Sequence, residues 1–490
     1  MQQRLNRTLG LIAIVAFGLT NEIASGLFFV STQIQKTAPG VGSLVPLLMI
    51  VGGLITFITV IAYRYFFASG LIGAGGEYVM LSKSVSQPIG FVSTFLAWFG
   101  LTGSLGSLSY TAPTFLATAA SSIGLQGAAQ FLSSNIGILI GGLVIIWAFW
   151  LIHVRGVRLA GILAVIAMCI VLFVAILLMV VGFSTNQNTL ASAVATHLHI
   201  PLNHILNASP AHHVSPGVAF GSALPVLFFG YLGLSTATQT GGEAVNAQHT
   251  LPRGVLFTVS VVTVVYTVFA FAIYHAVPWR IIGGLSSMNY TDYTTSSGLL
   301  QFVMPHWLSA VINVLVALIV IKTLLPIFLA QSRWVFAWSE DGILPSVFGR
   351  THARYHTPVL ALTISAIFGS ISLIESIDLG YVFGVNLRVL SVMIVFFFMG
   401  VGMIVFPKRS PERYRQNRSK LASLRWLQVL LGVVLMLVSI WFIVSITISS
   451  WTDSLILQPF VQAAIVAVIA IVIYVVRPKN KVKKQHTMNH

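Results

Sequence analysis

The chain has 490 residues, 26 Lys+Arg against 10 Asp+Glu, and a single cysteine. Charged residues make up 7% and hydrophobic residues 57%, whereas an ordinary soluble domain carries about 25% charged residues. This excludes a soluble enzyme, a disordered chain and a secreted disulfide scaffold: too little charge remains to coat a water-facing surface, and Cys169 has no partner for an intrachain disulfide.

A bilayer needs roughly 17–25 apolar residues per helix. Such runs recur twelve times, at about 9–33, 42–63, 90–120, 135–152, 158–183, 217–240, 255–277, 307–333, 358–376, 382–406, 426–449 and 459–476. Span 1 has Arg4 and Arg7 before it and small residues at Ala24-Ser25-Gly26, as a signal peptide would. The apolar run resumes directly after them, so a retained helix is expected. With the N-terminus inside, 22 of the 26 Lys and Arg fall in cytoplasmic segments, including seven between Lys408 and Arg425 and five from Arg477 to Lys484. This positive-inside bias predicts both termini in the cytoplasm. The net charge of +16 is then a topology signal and anchors the chain at an anionic inner leaflet; no nucleic-acid partner is expected. On the other side, residues 184–216 lack Lys and Arg but hold His197, His199, His204, His212 and His213. Their irregular spacing, with no Cys or acid beside them, suits a solvated loop better than a metal site. Asn207-Ala-Ser209 and Asn289-Tyr-Thr291 have the N-glycan acceptor pattern on that side.

Spans 1 and 6 are interrupted. Span 1 meets Thr20, Asn21, Glu22, Ser25 and Gly26 at mid-depth; span 6 passes from Phe228-Phe229-Gly230 through Gly233 and Ser235 into Thr236, Thr238, Gln239 and Thr240. Every backbone polar group in a bilayer must be satisfied, so a broken helix carries information. The two breaks open two successive sets of five spans that run in opposite directions, the pattern of an inverted repeat with a midplane site. The expected units are 8–183 and 217–406 for the two five-helix repeats, 426–476 for two further helices and 477–490 for a basic tail. A half-helix N-terminus offers N–H groups to a carboxylate, and a half-helix C-terminus offers C=O groups to a cation. Together they suit a zwitterion, and an amino acid is the simplest ligand of that kind.

The chain resembles the amino acid–polyamine–organocation (APC) superfamily, its amino acid permeases in particular. The resemblance rests on Ala24-Ser25-Gly26-Leu27-Phe28 in span 1, on Gly75-Gly76-Glu77-Tyr78, on Phe229-x-Tyr231-x-Gly233 with Glu243-x-x-Asn246 and Thr250-Leu251-Pro252-Arg253-Gly254, and on the stretch from Ser332-Arg333 through Asp341-Gly342-x-Leu344-Pro345 to Thr357-Pro358. It covers about residues 8–406. It implies an all-helical membrane protein of the LeuT type, with twelve transmembrane helices in a 5+5 inverted repeat plus two C-terminal helices. It further implies backbone N–H from Ser25 and Gly26 for a substrate carboxylate, C=O from Ile23 and Ala24 near its amine, Phe229 as an aromatic lid, and an unwound stretch Gly230 to Gly233 that includes Tyr231. The sequence departs from the family pattern at Ala24, which replaces a glycine, and at Ser235, which stands where an acid is often found. Cys169-Ile170-Val171 occupies the place of a span 5 lysine, and Pro326 and Ile327 occupy the places of two sodium-binding hydroxyls.

Three charges lie inside the spans, where each costs roughly 2.5–3.5 kcal/mol on insertion scales. Glu22 reads as a proton-coupling carboxylate or a counter-charge to the substrate amine; a structural pair with Lys322 is the competing reading. Lys322 reads as a stand-in for the missing span 5 lysine or as a structural cation. Arg388 follows Glu375 and Asp378 and reads as part of an outer ion-pair cluster. Glu340-Asp341, near Arg333 and Arg350, reads as a salt-bridged gate or loop brace.

The expectation is a secondary transporter of the plasma membrane, working by alternating access and taking up neutral or apolar amino acids with protons. The alternative is an exchanger of amino acids, including cationic ones, or of polyamines. A non-transporting sensor is less favoured because the tails are short. No HExxH, GxSxG or Walker motif supports an enzyme, and no cofactor or metal is expected. The expected partners are an amino acid, protons (with sodium as the alternative) and the lipid bilayer. Ser235 and Ile327 near the site favour an apolar substrate side chain.

Overall fold

The computed structural model describes residues 5–24, 26–38, 40–210, 215–288, 290–379, 381–451 and 458–477. Twelve of its helices are long and apolar enough to cross a membrane, as the sequence predicts. Spans 1 to 5 are Leu11–Thr37, Gly42–Ala68, Gln87–Ser121, Asn135–Val154 and Val157–Ser184. Spans 6 to 10 are Gly217–Gly242, Ala247–Ala276, His306–Glu340, Val359–Asp378 and Asn386–Arg409, and spans 11 and 12 are Arg425–Ser449 and Pro459–Val476. Among the described residues the only strand-like pairing is an isolated bridge between Leu9 and Ala244. His212, His213, Asn289 and the basic tail beyond Arg477 lie outside the described residues.

The spans sort into an inner and an outer set. The apolar window of span 1 is 82% buried and those of spans 3 and 8 are 72% buried, against 28% for spans 4 and 11 and 22% for span 12. Composition explains the division. The inner helices carry hydroxyls that turn back to their own backbone, such as Thr94 to the Gly90 carbonyl at 2.6 Å and Thr102 to Trp98 at 3.0 Å, so polar groups are satisfied without water. The outer helices present uniform apolar faces, for example Val144, Phe173, Val468 and Val472, and Cys169 is exposed among them. Lipid tails are as apolar as leucine, so such faces need no protein cover. Trp307, Trp426 and Trp451 are exposed at helix ends, where interfacial rings belong.

Short elements close the bundle. Gln187–Leu198 and Leu202–Ala208 lie between spans 5 and 6, and Trp279–Ser287 between spans 7 and 8. Glu77–Ser84 lies between spans 2 and 3, at the end of the bundle that carries most of the basic loops.

Candidate functional site at the meeting of two helix breaks

Span 1 is a helix over Leu11–Glu22, closed by the Ile23 N–H on the Leu19 carbonyl at 2.8 Å, and resumes as a wide π-turn over Gly26–Val30. Ser25 lies outside the described residues. Span 6 is a helix over Pro216–Phe228 that tightens to a 3-10 turn at Phe229–Tyr231 and resumes at Leu234–Gln239. The expected unwinding of Gly230 to Gly233 is therefore corrected to a tightened bend. Phe229, Leu232 and Gly233 keep right-handed helical dihedrals. Local bonds hold them there, from Leu232 N–H to the Phe229 carbonyl (3.3 Å) and from Thr236 N–H to the Gly233 carbonyl (3.1 Å).

The two breaks touch through glycines. A Cβ on Gly26 would lie 2.6 Å from Gly230 Cα, and one on Gly233 would lie 2.4 Å from Glu22 Cγ; no larger residue fits either place. Tyr266 of span 7 ties both together, its hydroxyl donating to the Glu22 carbonyl and, at 3.3 Å, to the Gly230 carbonyl.

A small cavity lies at this junction. Asn21, Glu22 and Gly26 line it from span 1 and Phe229 and Gly230 from span 6, while Leu108, Thr323 and Arg388 reach it from spans 3, 8 and 10. Its free volume is about 10 Å³, room for about one water, so the site is closed. Glu22 is buried. Among the described residues neither of its carboxylate oxygens has a hydrogen-bond partner. The Arg388 guanidinium lies over the Phe229 ring, 5.6 Å from its centroid. The outer-cluster reading of Arg388 is thus corrected: its side chain is buried at the cavity, while Glu375 and Asp378 are exposed.

Lys322 does not pair with Glu22. Its ammonium donates to the Thr20 carbonyl and, at 2.9 Å, to the Ile23 carbonyl, the free C=O groups where the first half of span 1 ends. The negative end of the helix dipole attracts a cation there. This also occupies the Ile23 carbonyl assigned to a substrate amine, and the Ala24 carbonyl accepts from Leu27 and Phe28 N–H. The remaining predicted residues sit beside the cavity without lining it. Tyr231 donates to the Met49 carbonyl at 2.7 Å, Ser235 to the Leu232 carbonyl at 3.2 Å, and Ile327 is fully buried. Leu108 and Thr323 were missed in the sequence, since neither breaks a pattern within its own span.

A second polar cluster lies at the basic end of the bundle. Arg333 of span 8 and Glu243, which follows span 6, form a buried two-point ion pair at 3.1 and 2.5 Å. The partner of Arg333 is therefore Glu243 rather than Glu340-Asp341; Asp341 instead accepts from the Tyr78 hydroxyl at 2.7 Å, a loop brace. The Glu243 carbonyl accepts the N–H groups of Thr8 and Leu9, both at 2.9 Å, and Val245 N–H donates back to Leu9. Glu77 is also buried and accepts from the hydroxyls of Tyr63 (2.7 Å) and Thr238 (3.2 Å) and from the Gln239 amide. Burial pushes its carboxyl up to about 7, against the lowering effect of these donors. Gly75 and Gly76 deliver it there. Both have positive φ, 96° and 43°, and a Cβ on Gly76 would lie 2.6 Å from the Gln239 amide nitrogen and Thr238 Oγ1.

A membrane-spanning helical bundle with two interrupted helices meeting around buried charges defines the class of a polytopic transporter-like membrane protein. Sequence comparison is specific: residues 9–471 match the Amino acid permease family, and the chain belongs to that family, within the APC superfamily. Among curated proteins it is similar to the branched-chain amino acid permease BcaP of Bacillus subtilis (strain 168), with 27% identity over 39% of this chain and 39% of that protein. It is similar to the vacuolar cationic amino acid transporter 4 of Arabidopsis thaliana, with 31% identity over 29% of this chain and 22% of that protein. It is also similar to the aspartate-proton symporter of Bacillus subtilis (strain 168), with 27% identity over 28% and 27%. The matched segments span less than half the length of each relative.

Proposed function

We propose that this permease takes up neutral or apolar amino acids across the plasma membrane together with protons, by alternating access. The observation that carries the reading is the cavity at the double break, with the Glu22 carboxylate on one side and the Arg388 guanidinium on another. An acid and a guanidinium around one small space match a zwitterion. The substrate carboxylate turns to Arg388 and the Gly26 backbone, under Phe229, and its ammonium donates to the carbonyl oxygen of the protonated Glu22 carboxyl. Glu22 carries the proton, because a carboxylate buried with no hydrogen-bond partner among the described residues is best accommodated neutral. Lys322 supplies the positive charge that a bound cation would otherwise bring to the end of the first half-helix. In this reading the units 8–183 and 217–406 are the inverted repeats, both termini face the cytoplasm, and the Arg333–Glu243 pair with the Glu77 cluster is the inner closure. The similarity to an aspartate-proton symporter supports the coupling ion, and that to a branched-chain amino acid permease supports the substrate class.

Exchange of amino acids, including cationic ones, is the second reading. The buried Glu22 carboxylate, with no hydrogen-bond partner among the described residues, favours it, since a cationic side chain would neutralise it as well as a proton.

Uptake into proteoliposomes tests both. Labelled leucine, valine, arginine and putrescine are offered under a pH gradient, a sodium gradient or a preloaded trans substrate. Leucine or valine uptake on the pH gradient alone is expected. Uptake that needs preloaded substrate establishes exchange and removes the coupling role from Glu22.

A further inference from the structure

A second cavity, among the described residues, shares no lining residue with the one at the helix breaks. It holds about 950 Å³ between the end of span 2, the start of span 7 and the segment joining spans 10 and 11. Arg64, Arg415, Arg418 and Lys420 line it, and no carboxylate does. None of the four pairs with an acid among the described residues. Glu412 is the nearest acid in sequence to three of them and is exposed outside the lining. Four like charges gathered around one hollow repel each other, and an anion relieves that repulsion.

The hollow is held in shape rather than left to a loose loop. The Asn417 amide donates to the Tyr65 carbonyl at 3.1 Å and to Ser69 Oγ at 2.6 Å, and Arg418 N–H donates to the Ala68 carbonyl at 3.4 Å. The basic segment is thereby pinned to the end of span 2. Its neighbours Gln248 and His249 add polar groups from the span 7 side.

The position of the mouth selects among anions. Ile61 lines the cavity and is exposed, and Arg64 follows three residues later on the same helix face. Leu47, Leu54 and Ile61 are all exposed at seven-residue spacing, an apolar stripe along span 2 that ends at Arg64. On span 7, Phe257, Val264 and Phe271 form a matching exposed stripe. Apolar tracks that run into a cationic hollow at the end of a span suit a lipid whose acyl chains lie along the helices and whose phosphate enters the hollow.

We propose that this cavity is a binding site for the phosphate of an anionic phospholipid headgroup. The site is separate from the transport site and requires no particular substrate. It places the phosphate between Arg64 and the Arg415–Lys420 segment, in contact with Ser69 and Asn417. A soluble phosphate shares the headgroup chemistry, and only the acyl stripe distinguishes the two.

The test uses the full-length protein in detergent, with binding read by native mass spectrometry and by thermal shift. The probes are dioctanoyl phosphatidylglycerol, dioctanoyl phosphatidylcholine and inorganic phosphate. Saturable binding of the phosphatidylglycerol with a rise in Tm, at least tenfold tighter than either other probe, is the expected result. R415Q/R418Q/K420Q should weaken that binding at least tenfold, and R350Q/R354Q, which removes charge from another loop, should leave it unchanged. R64Q alone should weaken it several-fold, which keeps the test decisive if the triple variant does not fold. Equal binding of inorganic phosphate would overturn the lipid assignment. Equal binding of phosphatidylcholine, or undiminished binding in the triple variant and in R64Q, would overturn the site.

Discussion

The Lys322 ammonium donates to the carbonyl of Ile23 at 2.9 Å, across nearly 300 residues of sequence, at the point where the first half of span 1 stops. Span 8 thus supplies a tethered cation to a helix end whose carbonyls have no intrahelical partner. Lys322→Met leaves the Thr20 and Ile23 carbonyls buried and unpaired, at about 1–3 kcal/mol each. A lower Tm in detergent is expected. Sodium but not choline should restore part of it, because bare carbonyl oxygens suit a hard cation. A Tm that responds equally to both salts would show that the carbonyls do not form a cation site.

Glu22→Gln keeps the shape of the site and removes its titration. Uptake driven by a pH gradient should fall at least tenfold, while counterflow between equal pools of substrate should persist. Retention of full gradient-driven uptake would remove Glu22 from coupling.

The Arg333–Glu243 pair is buried on both sides. Glu243→Gln leaves the guanidinium uncompensated, and breaking such a pair costs about 3–5 kcal/mol. The double variant R333M/E243L removes both charges and should regain most of the lost Tm. The two together should transport less than the native chain if the pair is a closing element, because one conformational state is then favoured less. Unchanged stability in the single variant would mean that water reaches the pair.

Stability should depend on pH through Glu77. Its carboxyl is raised to about 7 in the folded chain from an unfolded value near 4.5, so the native state binds more protons between these values. The slope of stability with pH is then negative, and stability present below about pH 4.5 is lost as pH rises to about 7. At roughly 1.4 kcal/mol per unit, the full loss is about 3 kcal/mol. Glu77→Gln should flatten the Tm-against-pH curve across this window; an unchanged curve would assign the slope to another group.

Much of the architecture was legible because the bilayer imposes simple rules. Twelve apolar runs had to become twelve helices, and glycine with polar residues at mid-depth had to mark a break. Asn21, Glu22, Gly26 and Gly230 were visible in this way, each a local exception to an apolar pattern. Leu108 and Thr323 were not, since a leucine or threonine in a membrane helix is ordinary and only packing brings it to the cavity. Arg388 was visible as a buried charge but was drawn toward its sequence neighbours Glu375 and Asp378. Helix geometry, not proximity in sequence, turned it inward. Tyr231 and Ser235 were named by resemblance, yet their hydroxyls are occupied by the Met49 and Leu232 carbonyls. The Arg333 partner is hidden for a similar reason: Glu340 and Asp341 are close in sequence, while Glu243 is close in space.

The pairing of Leu9 with Ala244 and Val245 gives the proposed inner closure a built-in reporter. The Val245 amide is protected only while the segment before span 1 stays docked beside the end of span 6. Its deuterium uptake therefore measures how often that end of the bundle opens, with no label and no substitution. Substrate or a pH jump that drives opening toward that side would appear as faster exchange at this amide and at those of Thr8 and Leu9, while amides in the middle of span 5 stay dark.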